Sequence, residues 1–179
     1  MKALTDYIFE AMHELYHFTN AYNLVDILKN DTWLSSNDHD EELYVSTTRI
    51  RNANFGYPTG LLDDNNVVRV VFDGAKLNSK YKIKPVDKMR GKRLAIKANW
   101  SNPDDYDKYF NAHQTNVEAE DRVLINANEV KGVHKYIKAI HINLSNIDNK
   151  YLKDISEYCK KFDIELKKYK NYSEFNLGR

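Results

Sequence analysis

Apolar residues along this chain recur mostly in short runs, with fewer stretches at helical spacing. Residues 15–18 form one such run, which stops at Thr19 and Asn20, both good residues to start a helix. Leu24, Ile27 and Leu28 then follow at helical spacing. They predict a helix to about Asn30 with those three as its buried stripe. Residues 43–47 alternate as a strand, and 67–72 is a run of β-branched residues ended by Asp73 and Gly74. Residues 81–85 form another strand, with Tyr81 and Ile83 on one face, and strands follow at 118–125 and 136–142. An amphipathic helix over 151–162 puts Leu152, Ile155 and Cys159 on one side. The strand 164–169, with Ile164 and Leu166 facing one way, closes the chain. Upstream, Leu4, Ile8, Met12 and Leu15 are spaced for one face of a short N-terminal helix.

The order is helix, strand, helix, four or five strands, helix, strand. Such a pattern predicts an α+β fold, not the regular strand–helix alternation of a doubly wound dinucleotide-binding sheet. Neither GxGxxG nor GxxxxGK[ST] occurs, so neither phosphate-loop fold is indicated. Residues 1–179 read as a single domain, with no repeat, low-complexity tract or linker. Two stretches lack periodicity. Residues 49–66 are a polar, glycine-containing loop, and 86–116 is a long loop of the kind that is usually functional or mobile.

Composition narrows the functional classes. A formal net charge of +1 gives no global field for nucleic acid, though one local patch could still meet it. With Cys159 as the single cysteine, an internal disulfide framework and a multi-cysteine zinc site are ruled out. Helical context makes Cys159 a small buried apolar residue. No metal site is expected. No apolar run approaches the roughly 20 residues of a membrane span. The opening MKALTDYIFEAMHE carries acids, unlike a secretory signal, so a cytoplasmic protein with no membrane partner is expected.

Three polar patches could carry chemistry. In the first, His17 and Thr19 end an apolar strand beside a helix start and can present hydrogen-bonding groups to a cleft; read alone, His17 fits better a histidine satisfied locally at a strand end. In the second, a strand runs from Tyr44 and Ser46 into Arg49 and Arg51, followed by Asn54, Phe55 and Gly56. An arginine fork suits a pyrophosphate, because it meets two oxygens at once; a solvated basic loop has the same composition. The third is Glu118-Ala119-Glu120-Asp121-Arg122. On a strand the two glutamates share a face, which is unfavourable unless something uses them. A carboxylate pair in a cleft can do acid–base or cation-stabilising work, while an exposed edge strand with Arg122 continuing its charged side is the plain alternative. His17, His113 and His134 could also serve a metal-free nuclease as acid and base, but no motif joins them.

In their order, LYHFTNAYNLVDIL, LYVSTTR and EAEDRVL resemble ADP-ribosyltransferase-like proteins, most of all DarT-type toxins and small phage-encoded relatives. VRVVFDGAKLNSKYKIKP and YIKAIHI are similar to the phage relatives, and the likeness runs from about Leu15 to Leu166. The resemblance implies a strand-rich split-sheet core with a few flanking helices. It implies NAD as co-substrate without a metal, and transfer of ADP-ribose to a macromolecular acceptor, nucleic acid or protein. A NAD glycohydrolase, or an inactive phage interaction protein that kept the fold, is the alternative. His17 and Thr19 match the pair that holds the adenosine side, with Asn23 beside them; Arg49 matches the strand-end arginine for the pyrophosphate or nicotinamide ribose. Tyr44, Ser46, Arg51 and Phe55 complete the implied NAD contacts. Glu120 matches the catalytic glutamate, and Glu118 the acid that helps choose the acceptor. Ser46-Thr47-Thr48 resembles the Ser-Thr-Ser patch of an arginine-first class, yet His17 stands where that class has arginine. The signature is mixed, which leaves the acceptor open. An antitoxin or a host target is the further partner implied, with the host cytoplasm as location for a phage-encoded chain.

Overall fold

The computed structural model describes residues 14–37, 43–48, 67–85, 120–125 and 127–177. The N-terminal helix expected over the first residues and the loops at 49–66 and 86–116 lie outside them. In chain order the elements are β1 (Glu14–Asn20), α1 (Ala21–Asn30), β2 (Thr32–Leu34), β3 (Ser36–Asn37), β4 (Leu43–Thr48), β5 (Val67–Asp73), α2 (Gly74–Lys80), β6 (Lys82–Pro85), β7 (Glu120–Leu124), β8 (Glu129–Lys131), a 3-10 turn (Val133–Tyr136), β9 (Ile137–Asn143), α3 (Asn149–Phe162), β10 (Glu165–Tyr169) and α4 (Tyr172–Leu177).

The main sheet runs β10-β9-β5-β1-β4-β7-β6, with β3 attached to β4; β2 and β8 form a separate ribbon. Neighbours are antiparallel except β9 and β10, which are parallel. The mixed architecture is the α+β fold expected from the sequence. Alternation decides the two faces. Leu15, Val45, Val68, Val70 and Phe72 turn to the larger core, where Leu24 and Leu28 of α1 and Ile155 and Cys159 of α3 cover them. Each such buried side chain contributes about 1.5–3 kcal/mol. Tyr16, Phe18 and Val71 turn to the opposite face, under Tyr169 and Phe175. Arg69 is wholly buried on β5, and its Nε and Nη2 lie 3.0 and 2.7 Å from His141 Nδ1. A guanidinium only donates, so Nδ1 accepts and this imidazole is neutral. The Phe175 ring lies 4.8 Å from the guanidinium, which ties α4 to the sheet.

Local chemistry sets the helix ends. Asn20 caps α1 by accepting from the Asn23 amide at 2.9 Å. Thr19 stays in the strand. Asp73 and Gly74 do more than end β5: Asp73 caps α2 through the Lys76 amide at 3.0 Å. This seven-residue helix is too short to show periodicity, as is the terminal α4. Strand β7 is internal, between β4 and β6, and Arg122 is buried with its guanidinium 3.9 Å from the centre of the Tyr44 ring, not continuing an exposed charged edge. Among the described residues no helix is long and apolar enough to cross a membrane.

Candidate active site

The central strands are those that carry the three polar patches. β1, β4 and β7 lie side by side, and Tyr16, Thr48 and Glu120 form one row across them. At about 4.8 Å per strand, the Glu120 backbone is about 10 Å from β1. Residues separated by a hundred positions are thereby brought to one end of the sheet.

The sheet opens beside this row. β7 pairs with β4 from Tyr44 to Thr48. Among the described residues, the other edge of β4 pairs with β1 at Thr48 and with β3 at Leu43 and Tyr44. Between these two contacts the edge is split. Into the split projects His17, whose Nδ1 lies 2.9 Å from the Ser46 carbonyl. A carbonyl only accepts, so Nδ1 carries the proton and Nε2 is left as an acceptor. A histidine side chain thus makes a bond that a strand amide would make in a continuous ladder.

The split forms the floor of a cavity of about 690 Å3, within the usual range for a small-molecule site. Asn23, Asp26, Ile27 and Asn30 line one wall, the residues that α1 places on one face at spacings of three and four. Leu24 and Leu28, on the neighbouring stripe, pack the core, so Ile27 serves the wall and only partly the core. β2 supplies the opposite wall through Thr32, Trp33 and Leu34. Trp33 stacks on Phe72 at 4.5 Å and meets His17 edge-on at 4.9 Å. His17 is enclosed enough that burial pushes its pKa down to about 4, with the Ser46 carbonyl a smaller opposing influence. It is therefore neutral at physiological pH.

The β2 wall is anchored at the end of α1. Asp31 adopts a left-handed conformation there (φ 50°), and its carboxylate takes the His134 amide at 3.0 Å and His134 Nδ1 at 2.7 Å. The His134 ring stacks on Phe162 at 4.6 Å. His134 is thus held by structure, apart from the cavity lining.

Of the expected site residues, His17, Thr19, Asn23 and Ser46 line this cavity. Tyr44 does not: it is buried under Arg122. Glu120 is placed by its backbone as the first residue of β7. Arg49, Arg51, Phe55 and Glu118 lie outside the described residues. Sequence reasoning missed Trp33, Asp26, Asn30 and Glu129. Asp26 and Asn30 could have been found from the helical spacing that starts at Asn23; Trp33 and Glu129 sit in strands of three residues with no readable pattern. A second groove of about 830 Å3 shares Glu129 with the first and is lined by Lys80, Tyr81, Lys82, Leu124, Ile125 and Lys131, among others. The Lys80 ammonium lies 5.2 Å from the Tyr81 ring, and hydrogen bonds to the Tyr81 and Tyr136 side chains raise its pKa above the usual lysine value.

No protein-family model matches the chain, nor does any curated protein. Solved structures do. DarT of Thermus sp. 2.9 in complex with carba-NAD+ matches with a TM-score of 0.52 at 13% identity, over 89% of this chain and 96% of that one. Its complex with NAD+ matches with a TM-score of 0.49 at 12% identity, over 89% and 96%. Its complex with ADP-ribosylated ssDNA matches with a TM-score of 0.49 at 12% identity, over 89% and 95%. At this identity the likeness is one of fold, carried by the first of the three: the split sheet built here around His17 is the fold of DarT.

Proposed function

We propose that this chain cleaves the bond between nicotinamide and ribose in NAD and transfers ADP-ribose to a macromolecular acceptor. The observation that carries the reading is the cavity in the split of the sheet, at the place where the three motif strands become neighbours. The shared fold supports it, since DarT is seen with carba-NAD+. In this reading His17, Thr19 and Asn23 hold the adenosine half, and Nε2 of His17 accepts from a hydroxyl. Arg49 and Arg51 follow directly on β4 and meet the pyrophosphate, with Phe55 and Ser46 completing the NAD contacts. When the glycosidic bond breaks, its electron pair leaves with the nicotinamide, which becomes neutral. The Glu120 carboxylate stabilises the ribosyl cation and hydrogen-bonds the ribose 2′-hydroxyl. A nucleophile on the acceptor then bonds to that carbon and loses its proton, with Glu118 helping to select it.

The neighbouring groove favours a macromolecule over water as acceptor. Three lysines and an aromatic ring beside one carboxylate suit a single nucleic-acid strand, the lysines meeting phosphates and the ring a base. The test is incubation with labelled NAD and separately with single-stranded DNA, duplex DNA, RNA and protein. Label on one polymer class supports the reading and names the acceptor; free ADP-ribose alone makes the chain a glycohydrolase; intact NAD refutes it. Glu120→Gln is expected to lower transfer by about 10²–10³ while NAD still binds, because it removes the charge and keeps the shape. Wild-type rates in that variant exclude Glu120. Transfer to host nucleic acid makes the chain a toxin in cells. Growth arrest on expression, relieved by Glu120→Gln, is then expected.

A further inference from the structure

Among the described residues, the charged groups lining the cavity have one sign. Asp26 reaches it from α1 and Glu129 from β8, and among the described residues no lysine or arginine lines it. Its remaining polar groups, the side chains of Thr19, Asn23, Asn30, Thr32 and Ser46, are uncharged, and His17 is neutral as well. Lys131 lies 3.0 Å from Glu129 and offsets part of that carboxylate's charge, though its 78% exposed side chain is not part of the lining; Asp26 has no ion-pair partner among the described residues. Asp26 is exposed on the helix and faces the same space as the asparagines one turn to either side of it.

Such a wall suits one part of a dinucleotide and rejects another. A carboxylate accepts hydrogen bonds from the vicinal hydroxyls of a ribose, and Trp33 and Ile27 offer apolar surface to a base. A phosphate placed in the same space is repelled. NADP differs from NAD by a phosphate on the 2′ oxygen of the adenosine ribose, where NAD has a hydroxyl. We propose that Asp26 and Glu129 make the cavity phosphate-excluding, so that it takes the adenosine half of NAD, leaves the pyrophosphate outside, and discriminates against NADP. The inference rests on the reading of the cavity as the NAD site and adds to it the residues that set cofactor choice. It also orients the dinucleotide: if the nicotinamide end entered here, the 2′-phosphate would lie outside and no discrimination would arise.

The size of the effect follows from electrostatics. A unit charge held about 6 Å from a carboxylate, at an effective dielectric of about 40, loses a factor of about ten in binding. The 2′-phosphate carries between one and two charges, so NADP+ is expected to bind at least tenfold more weakly than NAD+. The gap should narrow as salt rises from about 0.1 to about 1 M, because the screening length falls from about 10 to about 3 Å.

Calorimetric titration of the wild-type chain with NAD+ and with NADP+, at low and high salt, tests this directly. The same pair of titrations on Asp26→Asn and on Asp26→Asn combined with Glu129→Gln tests the residues. The expected result is a gap of tenfold or more that closes to within about threefold in the double variant, whatever the affinity for NAD+ itself becomes. Equal binding of the two dinucleotides to wild type overturns the inference and leaves the NAD reading standing; so does a gap that the double variant retains. Binding of neither dinucleotide overturns the NAD reading, and the inference falls with it. If the double variant fails to fold, Asp26→Asn decides the matter together with the salt dependence: a gap that neither the single substitution nor salt narrows overturns the inference.

Discussion

The depressed pKa of His17 makes folding stability depend on pH. Folded, His17 titrates at about 4; unfolded, it titrates near its ordinary value of 6.5. A histidine with a lowered pKa holds fewer protons when folded than when unfolded over the window between those values. Its stabilising contribution is therefore complete above about pH 6.5 and is lost as pH falls toward about 4. At about 1.4 kcal/mol per pKa unit, the loss is about 2 kcal/mol by about pH 5 and about 3 kcal/mol by about pH 4. Other groups titrate in the same range, so a comparison isolates the term. His17→Asn keeps a donor near the Ser46 carbonyl and cannot titrate. Urea denaturation of both proteins at about pH 7, 6, 5 and 4 gives the difference in unfolding free energy at each pH. Wild type should lose about 2 kcal/mol relative to the variant between about pH 7 and 5. A difference that stays constant within about 0.5 kcal/mol refutes the burial of a neutral His17. Histidine nitrogen shifts check the tautomer independently: the Nδ1-protonated form should persist down to about pH 5.

Three further outcomes follow from the packing. Trp33→Ala removes the ring that stacks on Phe72 and abuts His17, and should cost about 3–5 kcal/mol together with nucleotide binding, as read by thermal melting and calorimetry; an unchanged melting temperature contradicts the packing. The Cys159 thiol is pushed up to about 11 by burial, so a disulfide-exchange reagent at about pH 8 should label it only after denaturant is added, and rapid labelling of the native protein counts against its place in the core. Asp163 ends α3 with φ 55°. Asp163→Gly should raise stability by about 0.5–1 kcal/mol in a denaturant titration, because glycine adopts that conformation without strain; a lower midpoint contradicts it.

Much of the fold could be read along the chain. α1, α3 and the strands of five or more residues all appear in the hydrophobic pattern, because each buries one face and its period repeats long enough to be seen. The short elements do not: β2, β3 and β8 have two or three residues each. Their existence depends on partners, Thr32–Leu34 on Glu129–Lys131 and Ser36–Asn37 on Leu43 and Tyr44. The cavity wall built from them was accordingly invisible. Tyr44 illustrates the same limit. By resemblance its place on a motif strand implies a cofactor contact; that Arg122, distant in the chain, stacks over its ring is visible only in the tertiary structure.

The sequence by itself determined the types of the longer elements, the helix cap at Asn20, and the polar residues that end β1. These depend on interactions within a few residues, which spacing and side-chain chemistry encode directly. The tertiary structure alone decided that β1, β4 and β7 are adjacent and that one edge of β4 is shared between β1 at Thr48 and β3 at Leu43 and Tyr44. It also decided that His17 meets the Ser46 carbonyl between them in a neutral state. Strand order and register follow from the best joint burial of both sheet faces, a property of all the strands together. A histidine's charge follows from how much solvent that joint packing removes, so the chemistry of His17 is set by residues far from it in the chain.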